Sequence, residues 1–181
     1  MRNHVTLALL GTGFVLLAAC KSGSGTDPVQ SDLDRLTVAM APYESFSAAV
    51  AAGYADAITP CWYFTGEGAM GYHQGRVTLI DGTATLLEPE ALMYEPQADA
   101  SLRFVGVEYI VPIEAWTGSG RPVLFDREFS RNEALGLYTL HVWIGKTNPS
   151  GIFADWNPDV SCAHAEESED RSAGTSARHA H

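Results

Sequence analysis

Residues Leu102–Val111 read LRFVGVEYIV, a run rich in β-branched and aromatic side chains of the kind that suit a pleated surface. Strand side chains alternate between faces. Leu102, Phe104, Gly106, Glu108 and Ile110 are therefore expected on one side, and Arg103, Val105, Val107, Tyr109 and Val111 on the other. A second run, Gly136–Gly145 (GLYTLHVWIG), sets Tyr138, Leu140, Val142 and Ile144 opposite Leu137, Thr139, His141 and Trp143. Around these two strands the signals shorten. Arg76–Ile80 is expected as a strand ended by the turn pair Asp81-Gly82. Ala91–Glu95, flanked by Pro89 and Pro96, is expected as an edge strand. Thr65–Gly75 reads as a glycine-rich loop and Pro112–Glu133 as a long excursion. Asn148-Pro149-Ser150-Gly151 reads as a turn before the short hydrophobic plug Ile152–Trp156.

Upstream the period changes from two to between three and four. Leu33, Leu36, Met40, Tyr43, Phe46, Val50 and Tyr54 form one apolar stripe of helical spacing. Ser31 is the expected cap, and Pro42 divides the stripe into two short helices, the second stopping at Gly53. The fold class that follows is α+β, a short N-terminal helical pair packed on a mainly antiparallel β-sheet or partly closed barrel.

Residues Val5–Ala19 are an uncharged apolar run behind Arg2, too short to span a bilayer, as in a secretory signal. Leu17-Ala18-Ala19-Cys20 resembles the bacterial lipoprotein box. That resemblance implies a signal peptide over 1–19, lipidation of Cys20 and a cell-envelope, membrane-anchored localisation. Lys21–Gln30 is Gly/Ser/Pro-rich, giving a lipidated cysteine and flexible tether over 20–30, a single globular domain over 31–162 and a disordered tail over 163–181.

The formal charge is −11, and one unit more negative without Arg2, so no basic surface exists to displace phosphate counterions and nucleic acid is excluded as a partner. Membrane contact is expected through the lipid on Cys20. Hydrophobic residues make up 46% of the chain, enough for an ordinary core. With Cys20 acylated, Cys61 and Cys162 remain as an even pair in an oxidising compartment and are expected to form a disulfide.

Three pieces together resemble an uncharacterised group of bacterial secreted proteins and lipoproteins. They are Gly68–His73 (GAMGYH), Arg103–Tyr109 (RFVGVEY), and Leu140-His141-Val142-Trp143 continued through Asn148-Pro149 and Asp155-Trp156-Asn157-Pro158 to Cys162. The likeness runs from about Tyr54 to Cys162, outside Pro112–Glu133. It implies a boundary and brings no activity with it. Nucleophile-elbow, zincin, Walker and strand–helix dinucleotide fingerprints are absent, as is the HxH pattern of cupins.

Apart from His4 and the three tail histidines, His73 and His141 are the histidines of this chain, each beside aromatic residues. Glu108 sits in mid-strand, where a buried carboxylate needs a cation or donor. Two imidazoles and a carboxylate from a β framework make a facial ligand set suited to iron, zinc or manganese, with His73, Glu108 and His141 as metal ligands. Glu95 is the substitute acid. Structural readings of the same residues are open too: Glu108 paired with Arg103 or Arg121, His141 bonded to a carbonyl, His73 capping a loop. Tyr72, Tyr109, Trp143 and Trp156 are the candidate ligand-binding rings, for a small molecule or glycan. The expected function is an exported, lipid-anchored domain binding a small ligand or a divalent transition metal in a His/Glu/aromatic pocket. One alternative is a metal-dependent enzyme with Tyr72 or Tyr109 as proton donor, and the other is a structural envelope protein.

Overall fold

The computed structural model describes residues 27–172. The signal segment, Cys20 and tail residues His179 and His181 lie outside the described residues. Helix α1 (Pro28–Met40) starts earlier than Ser31. Asp27 caps it by accepting a hydrogen bond from the Val29 amide (3.0 Å), and Pro28 takes the first helical position. The expected tether to residue 30 is therefore cut short. Pro42 converts the chain to a single 3-10 turn (Ala41–Glu44), and Ser45 caps α2 (Phe46–Ala51). Leu33, Leu36, Met40 and Tyr54 of the apolar stripe are buried. Val50 is exposed instead, and Ala49 takes the inward place because α2 is rephased at Ser45.

Among the described residues nine strands follow: β1 (Asp56–Phe64), β2 (Gly68–Gly75), β3 (Ala91–Pro96), β4 (Leu102–Pro112), β5 (Val123–Leu124), β6 (Arg127–Glu128), β7 (Ser130–Asn132), β8 (Leu137–Val142) and β9 (Ser168–Asp170). Seven form one curled sheet in the order β7-β8-β4-β3-β2-β1-β9, while β5 and β6 pair as a hairpin within the excursion. Every neighbouring pair is antiparallel except β1 with β9. The fold is α+β, as expected: the helices pack on a half-barrel. Their side of the sheet carries the main core, including Leu92, Tyr94, Val107, Tyr109 and Val142 against Leu36 and Met40.

Several expectations are corrected. Ala91–Pro96 is an interior strand, buried at every position between β2 and β4. Pro89 lies outside it and Pro96 ends it, so neither removes a donor from the middle of the ladder. The supposed glycine loop is strand β2 from Gly68 onward. Gly71 is needed there, since its φ is +82° and a Cβ would collide with the Tyr94 carbonyl of β3. Arg76–Ile80 holds a 3-10 turn (Val77–Leu79) rather than a strand. The β3–β4 register slips between Met93↔Gly106 and Tyr94↔Phe104, leaving Val105 as an extra residue. Phe104 consequently joins Val107, Tyr109 and Val111 on the helix-covered face, whereas Val105 packs with Met93 and Trp143 on the opposite one.

The tail expected to be disordered from 163 contains β9. Its parallel pairing with β1 is reinforced by Trp62 Nε1 donating to Glu169 (2.9 Å) and Thr65 Oγ1 to Asp170 (2.8 Å). Polar contacts, not apolar burial, hold this segment, and hydropathy therefore does not reveal it. The Cys61–Cys162 disulfide is formed, with its Cα atoms 5.7 Å apart.

Candidate metal centre

His73 on β2, Glu108 on β4 and His141 on β8 converge on the sheet face away from the helices. Their ligating atoms lie within 4.8 Å of one another, and all three residues are buried. Glu108 and His141 are direct cross-strand partners, which puts their side chains on the same face. His73 stands across β3, opposite Met93. Between them β3 presents Ala91, the cross-strand partner of Glu108, whose small side chain leaves room for the carboxylate to lean toward His73.

Glu108 forks between the two rings. One oxygen is 3.4 Å from His73 Nε2 and the other 3.4 Å from His141 Nε2. Atoms bound about 2.0–2.2 Å from one ion stand roughly 3–3.5 Å apart, so these separations suit a shared cation. They are too long for good hydrogen bonds. Three buried ring nitrogens, His73 Nε2 and both nitrogens of His141, have no hydrogen-bond partner among the described residues. Buried polar atoms are normally satisfied, and the two Nε2 orphans that flank the Glu108 carboxylate call for a ligand between them, whereas His141 Nδ1 faces Asp155.

Outer partners orient both rings. Thr59 Oγ1 is 2.8 Å from His73 Nδ1, where it accepts the ring proton when Nε2 serves a metal. Thr59 lies among the register irregularities of β1, and it is opposite His73 itself. Asp155 Oδ1 is 3.4 Å from His141 Nδ1, an ion contact rather than an aligned hydrogen bond. The loop carrying Asp155 is pinned by Trp143 Nε1 donating to the Ala154 carbonyl (2.7 Å) and Asn148 Nδ2 donating to the Trp156 carbonyl (2.9 Å).

The electrostatics agree with a cation position. Burial, helped by the charge of nearby His141 when protonated, pushes the His73 pKa down to about 3, so this ring is neutral at physiological pH and has a lone pair to offer. Burial also raises the Glu108 carboxyl. For His141 burial acts downward, but the Glu108 and Asp155 carboxylates outweigh it and the net direction is upward. The His141 imidazole in turn holds Asp155 below the usual carboxylate range.

A cavity of about 720 Å³ opens onto this centre. Glu108, His141 and Asp155 lie at its polar end, and Trp62 and Trp156 contribute to its walls. Of the four expected ring residues, only Trp156 faces this cavity. Tyr109 is on the helix-covered side, its hydroxyl donating to the Leu86 carbonyl (2.6 Å). Tyr72 lines a separate depression, where its hydroxyl accepts from the Glu166 amide (2.9 Å). Trp143 is buried against Met93, Val105 and Val160. Glu95 is not a substitute ligand: both its oxygens take Lys146 Nζ (3.0 and 2.8 Å), and one also accepts from the Ser161 amide. No arginine pairs with Glu108 among the described residues. Trp62 and Thr59 belong to the site as well. Trp62 stood out in the sequence only as one of an aromatic cluster, and Thr59 carried no signal at all.

Comparison with protein-family models, with curated proteins and with solved structures finds no match to this chain.

Proposed function

We propose that this chain binds a divalent transition metal through His73 Nε2, Glu108 and His141 Nε2, in a centre that keeps coordination positions open toward the cavity. The observation that carries this reading is the pair of orphaned Nε2 atoms, from His73 and His141, on either side of one buried carboxylate. Structural zinc sites are closed by four protein ligands, whereas three ligands beside a cavity match sites where the metal takes a further molecule. A bound metal would act there as a Lewis acid or deliver a metal-bound nucleophile, which makes a metal-dependent enzyme the second reading. Glu108 and His141 both lining the cavity favours that second reading.

The test is elemental analysis of the mature chain, purified in detergent without an affinity tag and dialysed against zinc, manganese or ferrous iron. One equivalent of metal, lost in both His73→Ala and His141→Ala, is the expected result. Absence of metal, or its retention in both variants, overturns the reading.

Export and acylation at Cys20 complete the proposal. They are supported by the Val5–Ala19 run and the box at its end, and an oxidising compartment suits the Cys61–Cys162 bridge. Among the described residues no helix is long and apolar enough to cross a membrane. Mass spectrometry of the mature N-terminus should find a diacyl or triacyl cysteine, and Cys20→Ala should release the chain from membranes. An unmodified N-terminus upstream of Cys20 would refute it.

A further inference from the structure

Beside Glu108 and His141 one wall of the cavity is apolar. Ile110, one strand position pair beyond Glu108, is buried on the same face, and Leu137, Ile58, Ile80 and Met70 continue the wall. Trp62 and Trp156 add two indole rings. Fixed charge near the mouth is already spent internally. Arg131 is the one arginine or lysine of the lining, and its guanidinium is bound by Glu133 (2.5 Å), donates to the Tyr138 hydroxyl (2.8 Å) and lies 5.5 Å over the Tyr138 ring. Apart from the His141 ring, the remaining ionisable lining groups are acidic: Glu108, Asp155 and Glu133. Such a cavity offers no free arginine or lysine to a phosphate or polycarboxylate, and its uncharged polar groups include Ser130, Asn132 and Thr139 from β7 and β8.

We infer that the cavity receives a compact amphipathic molecule, neutral overall, whose single oxygen head (an alcohol, phenol or carbonyl) meets the metal while its hydrocarbon body lies along the Ile110–Leu137 wall. This rests on the proposed metal centre and names what occupies its open positions. The volume of about 720 Å³ lies within the range of small-molecule sites and exceeds what a lone solvent ligand requires. The polar end and the apolar wall are contiguous, so one molecule can satisfy both. The head supplies orientation and the body supplies affinity, with each buried methylene contributing about 0.8 kcal/mol, or roughly fourfold.

The test titrates the metal-loaded mature chain and its metal-free form with 4-alkylphenols of increasing chain length, with glucose and with inorganic phosphate. Tryptophan fluorescence reports the binding. For the loaded chain, affinity should rise roughly threefold to fourfold per methylene, and Leu137→Asn should flatten that rise while leaving bound metal unchanged. Glucose and phosphate should not compete. Removing the metal should weaken every phenol by a similar factor. A loaded chain indifferent to alkyl length, or one that prefers phosphate or glucose, overturns the inference while the metal centre stands. Phenols binding equally well with and without metal would instead remove the metal from the reading of the site.

Discussion

Glu108 and His141 are a directly opposed cross-strand pair, and the Glu108 carboxylate reaches past its partner so that one oxygen is 3.4 Å from His141 Nε2 and the other 3.4 Å from His73 Nε2. The acid therefore bridges strands that are not neighbours. In the metal-free chain it is a buried carboxyl whose neighbouring imidazoles make no aligned hydrogen bond to it. Such an arrangement costs stability until a ligand arrives.

Glu108→Gln should consequently act with opposite signs in the two states. Without metal the variant should unfold at higher temperature than the parent, by the equivalent of about 1–3 kcal/mol. With zinc or manganese in excess the parent should gain stability by mass action and the variant should not. Thermal denaturation with and without chelator measures both effects.

Thr59→Val and Asp155→Asn remove the outer partners of the two imidazoles without touching the ligating atoms. Each should weaken metal binding about 10–100-fold while leaving the fold intact. Competitive chelator titration gives the affinity, and the absorption spectrum of the cobalt form should shift as the rings lose their orientation. Tyr109→Phe, on the far face of the sheet, should leave metal affinity unchanged.

Glu90 offers a pH prediction away from the centre. It is buried, its carboxylate accepts from the Ile110 amide (2.9 Å), and burial pushes its pKa up to about 8 from an ordinary 4.5. A raised folded-state pKa means that its full stabilising effect is present below pH 4.5 and is lost as pH rises through 8. Between those values the unfolded chain has released the proton and the folded chain has kept it. Stability should thus fall with a slope of up to about 1.4 kcal/mol per pH unit from this residue. In Glu90→Gln that component should vanish, and the variant's advantage over the parent should grow from pH 4.5 to pH 8 in denaturant titrations.

The Cys61–Cys162 bridge joins residues 101 apart. Replacing both cysteines by serine should cost about 4–5 kcal/mol by the chain-entropy model, read as a fall in the denaturant midpoint. Metal affinity should survive wherever the chain remains folded, because neither sulfur is among the proposed ligands.

The alternation in Leu102–Val111 correctly set Glu108 on the face opposite Val107 and Tyr109, yet it misplaced Phe104. One inserted residue at Val105 reverses the parity of everything before it. Alternation carries no mark of a bulge, since the same residues read equally well with or without one. His73 was assigned to a loop because glycines dominate its neighbourhood. In the folded chain those glycines serve close strand approach, with Gly71 beneath the Tyr94 carbonyl. Convergence of His73, Glu108 and His141 followed from residue type alone. Tyr109 is not a pocket residue because local alternation cannot tell which side of a curled sheet the helices will cover, whereas Trp143, on the side away from the helices, is buried under Val105 and Val160. Asp155 is visible in its Asp-Trp-Asn loop, but its partnership with His141 depends on the turn at Asn148–Gly151 that folds the chain back between them. β9 escaped notice for a different reason: its attachment is made by main-chain pairing and carboxylates, which hydropathy scores as solvent-seeking.

That last attachment also governs how the molecule behaves among its own kind. β1 would otherwise end the sheet with a nine-residue row of unsatisfied main-chain groups, an invitation to neighbouring copies. Ser168–Asp170 occupies part of that row, held by the bonds of Glu169 and Asp170 to Trp62 and Thr65, so intermolecular ladder growth meets a blocked template. A chain trimmed just after Cys162 would keep its bridge and its imidazoles and lose its protection against self-association.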